Sequence, residues 1–522
     1  MQLDPFWWEF RATMGAIWVI RKGPLEPCPH HDTTTMLSEH LLSAMARQAQ
    51  GLALPLHRQL YAALRQTILD GQLAAGDRLP SSRELAQDLG LSRNTVVAAL
   101  EQLLVEGYLR SRVGSGTFVH DELPLPPARL APPAAARAAP LSARGERLAH
   151  QHRASDCEIQ PFTPGAADFS AFPLAVWQRL QNKHWRHAQP ELLDYNDAGG
   201  HGPLRRAVAD HLRIFRGAQL GADQVLITSG TQQSLALCAQ LLADPGDTVW
   251  IEDPAYWGAV KAFEAASLQL QPVPVDEEGM LPPAAGSASA PRLVYLTPSH
   301  QYPTGTLMSL ARRQGVLRSA GSHGAWVLED DYDSEFRFSG PPVASLQGLD
   351  TQERVLYLGT FSKVLYPGIK LGYLVVPRPL VHAFRQAHYD LNRPGQMVLQ
   401  AALAEFMAMG HFASALRRAR QTYAERRRRL VQALAPVLAS GQAQLPGAAQ
   451  GLHLCLRLPQ GVDDLALSQG LAQEGLSVRP LSRYCLQRQD LRGLLVGYGY
   501  APAPLIDRYG PQLARAVAQA LR

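Results

Sequence analysis

The stretch Gly359-Thr-Phe-Ser-Lys-Val-Leu-Tyr-Pro-Gly-Ile-Lys-Leu-Gly-Tyr373 places a lysine, Lys363, directly after a β-like run, Val355–Leu358. A primary amine at the edge of a strand can form a Schiff base (an aldimine) with an aldehyde cofactor, while hydroxyls and a cation hold a cofactor's phosphate. The sequence therefore predicts a cofactor site with Lys363 as its covalent, catalytic residue. The hydroxyls and the cation predicted to bind the phosphate are Thr360, Ser362 and Lys370.

Composition describes a globular chain of at least two domains. The 522 residues are 46% hydrophobic and 18% charged, and the net charge of +5 is too small to identify a nucleic-acid binder. The five cysteines are scattered without a C-x-x-C pair, which favours reduced thiols over disulfides or a cysteine-bound zinc. No apolar run approaches the roughly 20 residues of a membrane span. We expect a cytoplasmic protein without a bound metal and without membrane contact.

Changes in composition divide the chain into four parts. Residues 1–50 lack a sustained period, which predicts a poorly ordered extension with at most a short amphipathic helix from about Leu37. Residues 51–121 are dense and well punctuated, and residues 122–160 form a Pro/Ala-rich linker. In residues 161–522 short β-rich runs alternate with helical patterns, which is typical of a parallel α/β domain.

Within residues 51–121 the sequence predicts two helices in succession. The first ends at Asp70-Gly71, and its buried face repeats every four residues at Leu60, Leu64 and Ile68. The second begins at Ser81, which forms an S-x-x-E capping box with Glu84. Its buried residues are expected to be Leu85 and Leu89.

A third helix and a hairpin follow. Ser92 caps the helix Arg93–Glu106, and its buried residues are predicted to be Val97, Leu100 and Leu104. Residues 107–119 alternate around a Gly114-Ser-Gly116 turn, which indicates a β-hairpin. Three helices and a hairpin form a winged helix-turn-helix.

The runs Leu79-Pro-Ser-Ser-Arg-Glu-Leu-Ala86 and Leu91-Ser-Arg-Asn-Thr-Val96 make this module resemble the GntR-type regulators. The resemblance implies binding to double-stranded operator DNA, with the start of the third helix in the major groove. The DNA contacts that it implies are Arg83, Arg93, Asn94, Thr95 and Gly116. The alternative is that the arginines are ordinary surface residues, since residues 55–119 hold seven Arg/Lys against six Asp/Glu.

The larger domain offers partners for Lys363 at the ends of successive predicted strands. After Val225–Thr228, a turn opens a helix whose free N–H groups suit a phosphate, although a plain capped helix would look the same. The candidates there are Gly230, Thr231 and Gln232. After Thr248–Glu252, Tyr256 is expected to stack on a cofactor ring, or else to pack in the core.

At two further strand ends, one residue is expected to contact the cofactor's ring and another to supply an acid. Tyr302 follows the strand Leu293–Thr297, and Asp330 directly follows the strand Trp326–Glu329. A carboxylate at a pyridine nitrogen keeps the nitrogen protonated, and we assign this role to Asp330, with Asp331 as the alternative. Tyr332 is then expected to reach the ring hydroxyl. A metal site or a solvated loop is the other interpretation, but no histidine lies nearby in the sequence.

From about residue 160 onward the chain resembles the fold-type I aminotransferases, and both modules together resemble the MocR-like branch of GntR regulators. The resemblance implies a winged helix-turn-helix joined to a mostly parallel sheet with a smaller C-terminal α+β lobe, pyridoxal 5'-phosphate as cofactor, and a homodimer. Two residues depart from the aminotransferases: Tyr302 replaces an asparagine, and Lys370 replaces an arginine on the phosphate.

The favoured hypothesis is a regulator that senses an amine, an amino acid or pyridoxal phosphate through Lys363. The alternatives are a working aminotransferase with an added DNA-binding domain, and a binding protein that has lost its cofactor. An aminotransferase needs an arginine for the substrate carboxylate, and the candidates are Arg479, Arg483 and Arg492. The run Arg426–Arg429 favours a solvated helix face.

Overall fold

The computed structural model describes residues 33–48, 54–112, 114–123, 141–150, 160–170, 172–195, 199–284, 286, 289–340, 343–447 and 449–522. The chain divides into two compact units, Met1–Ala139 and Pro140–Arg522. Residues 1–32 of the predicted extension, and residues 124–140 and 151–159 of the predicted linker, lie outside the described residues. Within the described ranges, no helix is both long and apolar enough to cross a bilayer.

The first unit has the predicted winged helix-turn-helix. Its elements are α1 Thr33–Gln48, α2 Leu56–Leu69, α3 Ser82–Asp88, α4 Arg93–Val105, β1 Leu109–Arg112 and β2 Gly116–Val119. Strands β1 and β2 are antiparallel, with Leu109 opposite Val119. The capping box is present, because Ser81 Oγ accepts from Glu84 N at 3.2 Å and Glu84 Oε2 accepts from Ser81 N at 2.8 Å.

Helix α1 begins four residues before the short amphipathic helix that the sequence predicts from about Leu37. Leu41, Ala44 and Met45 are buried in the same apolar core as Leu60 and Leu85. Two turns of α1 are thus stabilised by burial against the rest of the unit, although the pattern of apolar residues in this helix is weak.

The buried face of α4 is also shifted from the prediction. Val96, Ala99, Leu100 and Leu103 are buried, whereas Val97 is only half-buried. Both sets fit the helical period, because apolar residues stand in adjacent pairs along this helix. Packing against α2 and α3, rather than the period, decides between them.

The second unit is a large α/β layer with a smaller lobe. Its helices are α5 Ala143–His150, α6 Leu174–Arg186, α7 Pro190–Leu193, α8 Gly202–Arg216, α9 Thr231–Leu242, α10 Trp257–Ala265, α11 Leu310–His323, α12 Leu346–Leu349, α13 Val381–Asn392, α14 Met397–Ala408, α15 His411–Ala439, α16 Asp464–Gln473 and α17 Ala503–Ala520. Its strands are β3 Val225–Thr228, β4 Thr248–Asp253, β5 Gln269–Asp276, β6 Gly279–Met280, β7 Leu293–Leu296, β8 Trp326–Asp331, β9 Val355–Thr360, β10 Gly372–Val375, β11 His453–Leu458, β12 Arg479–Pro480 and β13 Arg492–Gly497.

The main sheet has the order β3-β10-β9-β8-β7-β4-β5-β6. Strands β9, β8, β7, β4 and β5 are parallel, while β10 and β6 are antiparallel to their neighbours. Because β10 is antiparallel to both β3 and β9, β3 points the same way as β9. The carboxyl ends of β3, β4, β7, β8 and β9 therefore meet at one edge, where ligands bind in open α/β sheets.

The smaller lobe carries the antiparallel sheet β11-β13-β12 and the long helix α15. Arg426 of α15 is only 7% exposed, and its Nη2 donates to Asp168 Oδ2 at 2.5 Å. The first arginine of the run Arg426–Arg429 is therefore buried and paired, which the prediction of a solvated face missed. Arg428 and Arg429 do bind a partly exposed carboxylate, Glu425.

Candidate functional site

Lys363 stands three residues beyond the end of β9 in a half-buried position. Its Nζ donates to the backbone oxygen of Gly165 at 2.6 Å. Burial lowers the pKa of Lys363, and the nearby Arg479 guanidinium lowers it further, whereas Asp333 and Asp330 act in the opposite direction. A lowered pKa increases the neutral fraction of the amine, which is its nucleophilic form.

Asp330 and Asp331 point to opposite faces of β8 and have different partners. Asp331 Oδ2 is held by Arg216 Nε at 2.8 Å and by the Tyr357 hydroxyl at 2.6 Å. Asp330 Oδ2 accepts from the Tyr295 hydroxyl at 2.8 Å, but its buried Oδ1 has no hydrogen-bond partner in the described part of the chain. Burial raises the pKa of Asp330 to about 7. A buried carboxylate oxygen without a donor fits a protonated ring nitrogen, so the structure favours Asp330 for that role.

The predicted phosphate residues come from two neighbouring elements. Gly230 is the N-cap of α9 with φ 109°, a conformation that favours glycine, and it precedes Thr231. Gly372 of β10 lies against Gly230, because a Cβ at 372 would stand 2.8 Å from the Gly230 Cα. Beside β10, Thr360 Oγ1 accepts from Ser362 N at 3.1 Å.

Lys370 is exposed and adopts a left-handed conformation, with φ 47°. It directly follows the short 3-10 helix Pro367–Ile369. Its role on the phosphate remains a prediction.

Four tyrosines form an aromatic wall at the same sheet edge. Tyr256 contacts Tyr302 edge-on with ring centroids 5.6 Å apart, and Tyr302 contacts Tyr332 at 5.8 Å. The hydroxyl of Tyr302 lies 3.2 Å from that of Tyr484. Gln232 Nε2 donates to the Tyr256 hydroxyl at 3.4 Å, and burial raises the pKa of Tyr256 to about 12. The wall joins three of the predicted ring residues.

A histidine–carboxylate pair supports Tyr332, and the sequence did not reveal it. The Tyr332 hydroxyl donates to the backbone oxygen of His300 at 3.0 Å and lies 3.0 Å from His300 Nδ1, which is 2.9 Å from Asp333 Oδ2. The hydroxyl predicted to reach the ring hydroxyl is thus already engaged, and a cofactor contact requires it to share this bond. The pair is closely covered, because a Cβ on Gly451 would stand 2.0 Å from His300 Cε1.

No histidine lies near the acidic run in the sequence, but the fold brings two histidines beside it. His300, Asp333 and His453 are all buried, and one ligand atom from each lies within 4.8 Å of the others. His453 Nε2 lies 3.1 Å from the Pro303 oxygen, and burial lowers the pKa of His453 to about 3. Asp333 is already paired with His300, whereas the buried Nδ1 of His453 has no hydrogen-bond partner among the residues that the structure describes.

Of the three arginines considered for a carboxylate, Arg479 is the one coupled to the site. Its charge lowers the pKa of Lys363 and opposes the burial that raises the pKa of Tyr302. Arg483 is exposed, and Arg492 Nη1 donates to the Leu491 oxygen at 2.9 Å. Neither charge nor spacing in the sequence distinguishes Arg479 from the other two.

The candidate DNA contacts lie on the surface of the first unit. Arg83, Arg93 and Asn94 are exposed. Thr95 is half-buried, and its hydroxyl lies 2.8 Å from Ser92 Oγ, which caps α4.

Gly116 is at the start of the second hairpin strand, with φ 115°. A Cβ there would stand 3.1 Å from Nε of Arg78, an exposed cation that the sequence interpretation missed. Arg112 lies over the Phe118 ring at 5.6 Å. Arg112 of the hairpin and Arg78 beside it thus add two cations to those at the helix starts.

Comparisons with known proteins agree with both modules. Residues 165–493 match the family described as aminotransferase class I and II, and residues 56–119 match the family described as bacterial regulatory proteins, gntR family. The chain is 41% identical to the probable rhizopine catabolism regulatory protein MocR of Rhizobium meliloti, over 85% of this chain and 90% of that protein. It is 31% identical to the pyridoxine biosynthesis transcriptional regulator PdxR of Corynebacterium glutamicum, over 84% and 91%.

Solved structures resemble the second unit. Kynurenine aminotransferase of Pyrococcus horikoshii has a TM-score of 0.65 and 25% identity, covering 72% of this chain and 96% of that one. LysN, the alpha-aminoadipate aminotransferase of Thermus thermophilus, has a TM-score of 0.64 and 27% identity, covering 72% and 97%.

Proposed function

This chain belongs to the MocR-like subfamily of GntR-type transcriptional regulators, and on that premise we propose that it binds pyridoxal 5'-phosphate covalently at Lys363 and regulates transcription in response to a small amine, an amino acid or the cofactor itself. The winged helix-turn-helix binds a double-stranded operator in the cytoplasm. A homodimer presents two such modules to paired half-sites.

The observation that carries the cofactor proposal is the buried Oδ1 of Asp330, which lies in the same site as Lys363 and has no hydrogen-bond partner in the part of the chain that the structure describes. Pyridoxal phosphate, when bound, supplies an aldehyde that condenses reversibly with primary amines and a pyridine ring that withdraws electrons. Asp330 would accept a hydrogen bond from the ring N–H, and Tyr256 would pack against the ring. The N-terminus of α9 at Gly230, Thr231 and Gln232, together with Thr360, Ser362 and Lys370, holds the phosphate.

Arg479 supports an amino acid as the effector. Its guanidinium is close enough to Lys363 to lower the pKa of that amine, so a carboxylate at Arg479 would place an amino group of the same small molecule beside Lys363. The same arrangement favours the second candidate, an active aminotransferase. Turnover of amino acids with keto acids distinguishes the two, since a sensor only needs to bind.

The name of the relative PdxR supports pyridoxal phosphate as an alternative effector. In that case covalent attachment at Lys363 is the signal itself. In either case the effector acts by binding two states of the protein with different affinity.

Lys363→Ala tests the proposal, and Lys183→Ala, which removes a largely exposed lysine paired with Glu405, is the control. The wild type and Lys183→Ala should show the visible absorption of an aldimine, and borohydride reduction should remove this absorption while leaving the cofactor attached to the protein through a stable secondary amine. Lys363→Ala should lose this covalent label and its response to effector, yet bind operator DNA as before. A fully responsive Lys363→Ala protein, or a wild type that takes up no cofactor, would show the proposal to be wrong.

A further inference from the structure

A cavity of about 180 Å³ lies in the second unit outside the tyrosine wall. Three arginines contribute to its lining: Arg216, Arg337 and Arg420. Part of the remaining wall is apolar, formed by Phe215, Leu307 and Val343. A cavity that combines guanidinium groups with apolar side chains has the composition of a small-ligand site.

The charges around the cavity leave an excess of positive charge. Arg216 is 7% exposed and is neutralised by Asp331, at 2.8 Å. Glu335 contributes one carboxylate, which lies 3.8 Å from His211 Nε2. Among the lining residues that the structure describes, Arg337 and Arg420 therefore exceed the remaining acidic charge, that of Glu335, by one.

The hydrogen bonds of the Arg337 and Arg420 guanidinium groups go to neutral atoms, and the Glu335 carboxylate, which attracts Arg420, offsets only one of the two charges. Arg337 Nη1 donates to Gln450 Oε1 at 3.1 Å, while its buried Nε has no hydrogen-bond partner among the described residues. Arg420 Nε donates to the backbone oxygen of Glu335, and its guanidinium lies 5.7 Å from the centre of the Phe215 ring. The partners that the two cations have in these contacts are neutral atoms.

We propose that this cavity binds a small organic carboxylate as a second ligand, separate from the cofactor site. One carboxylate balances the excess charge, and the fork of an arginine binds carboxylates in two-pronged geometry. Since a water molecule occupies about 30 Å³, the cavity has room for a ligand of several heavy atoms. The apolar wall suits the hydrocarbon part of such a ligand, which inorganic phosphate lacks.

The cavity and the site of Lys363 share three chain segments. Ser299, Ser334 and Gln450 line the cavity, and each directly neighbours in sequence a residue of the cluster that supports Tyr332: His300, Asp333 and Gly451. Gln450 Nε2 also donates to the backbone oxygen of Ser299 at 2.6 Å. A carboxylate on Arg337 therefore acts on the segments that hold the His300–Asp333 pair.

Calorimetric titration of the full-length protein with butyrate and benzoate tests the proposal, and benzamide is the neutral comparison. The wild type should bind at least one carboxylate and not the amide. Arg337→Gln and Arg420→Gln should each weaken binding by about tenfold or more, the loss expected for one charge-assisted contact. Arg418→Gln, which changes an exposed arginine on the same helix as Arg420, should bind like the wild type.

A second set of measurements distinguishes ligand binding in this cavity from binding at the cofactor site. In the Arg479→Gln background, which removes the other arginine proposed to bind a carboxylate, butyrate or benzoate should still bind, and adding Arg337→Gln should weaken that binding by about tenfold or more, whether or not the protein binds pyridoxal phosphate. If Arg479→Gln abolishes binding and Arg337→Gln does not, the carboxylate belongs beside Lys363 and the inference is wrong. It is equally wrong if the wild type binds neither carboxylate, or binds benzamide as well. Thermal denaturation checks that each variant is folded. If Arg337→Gln is unfolded, the binding measured for Arg420→Gln tests the proposal instead.

Discussion

The winged helix and the site of Lys363 are built over very different distances along the chain. In the winged helix the decisive hydrogen bonds are local: Ser81 and Ser92 each cap a helix through a residue three positions ahead. In the larger unit, Lys363 is bonded to Gly165, 198 residues away, and Tyr302 to Tyr484, 182 residues away. Local chemistry can be read from the sequence, whereas a site built from distant segments depends on how the whole unit packs.

The two regions also use their charged groups in opposite ways. Arg83 and Arg93 remain exposed, where a charge costs little and can reach phosphates. Asp330 is buried and Lys363 is half-buried, and desolvation shifts the pKa of each toward its neutral form. We therefore expect changes at the DNA face to alter binding alone, and changes at the cofactor site to alter stability as well.

The largest effect is expected within the winged helix itself, at the buried face of α1. Leu41→Ala should destabilise the unit by about 2–5 kcal/mol, because Leu41 is fully buried. Its neighbour Leu42 is 43% exposed, so Leu42→Ala is a matched control with a change of less than about 0.5 kcal/mol. Hydrogen exchange of the α2–α4 amides in the full chain measures both. Equal protection in the two variants would mean that α1 adds nothing to this core.

Comparison of the wild type with Asp330→Asn measures how the buried Asp330 carboxyl changes the free energy of unfolding of the second unit. The pKa of Asp330 rises from 3.8 to about 7 on folding, so the folded state binds more protons than the unfolded state between those values, and stability falls as pH rises through that window. Relative to Asp330→Asn, the cofactor-free wild type should lose about 2–3 kcal/mol of unfolding free energy between about pH 5 and about pH 8.

Denaturant titrations at several pH values measure this difference, with Asp210→Asn, at a largely exposed carboxylate, as control. Saturating pyridoxal phosphate should remove the pH dependence, because a ring N–H stabilises the ionised carboxylate. A difference that stays constant with pH would contradict a raised pKa at Asp330.

Arg93→Ala should weaken operator binding by about 1–3 kcal/mol if Arg93 contacts a base pair, with no change in cofactor uptake. Arg58→Ala is the control, because Arg58 Nη1 donates to Gln102 Oε1 near the opposite end of α4. Affinity for operator and for unrelated DNA, measured over a range of salt concentrations, separates base contacts from phosphate contacts. Unchanged affinity and sequence preference in Arg93→Ala would show that α4 docks differently.

The sequence by itself determined the elements that follow from local chemistry. The capping box at Ser81 fixed the start of α3, and the alternation of β-like runs with helical patterns fixed the parallel sheet. It also indicated Lys363, Asp330 and the tyrosines, because parallel strands bring their carboxyl ends to one edge.

Only the tertiary structure decided which of several equivalent residues takes each role. Asp330 and Asp331 are adjacent acids, but Arg216 and Tyr357, from distant elements, bind Asp331. Among the described residues, Oδ1 of Asp330 has no donor. In the same way, Arg426 is buried by a pairing with Asp168, 258 residues away. A sequence pattern with a period of two or 3.6 residues carries no information about partners at such separations, because burial and pairing depend on the packing of the complete unit.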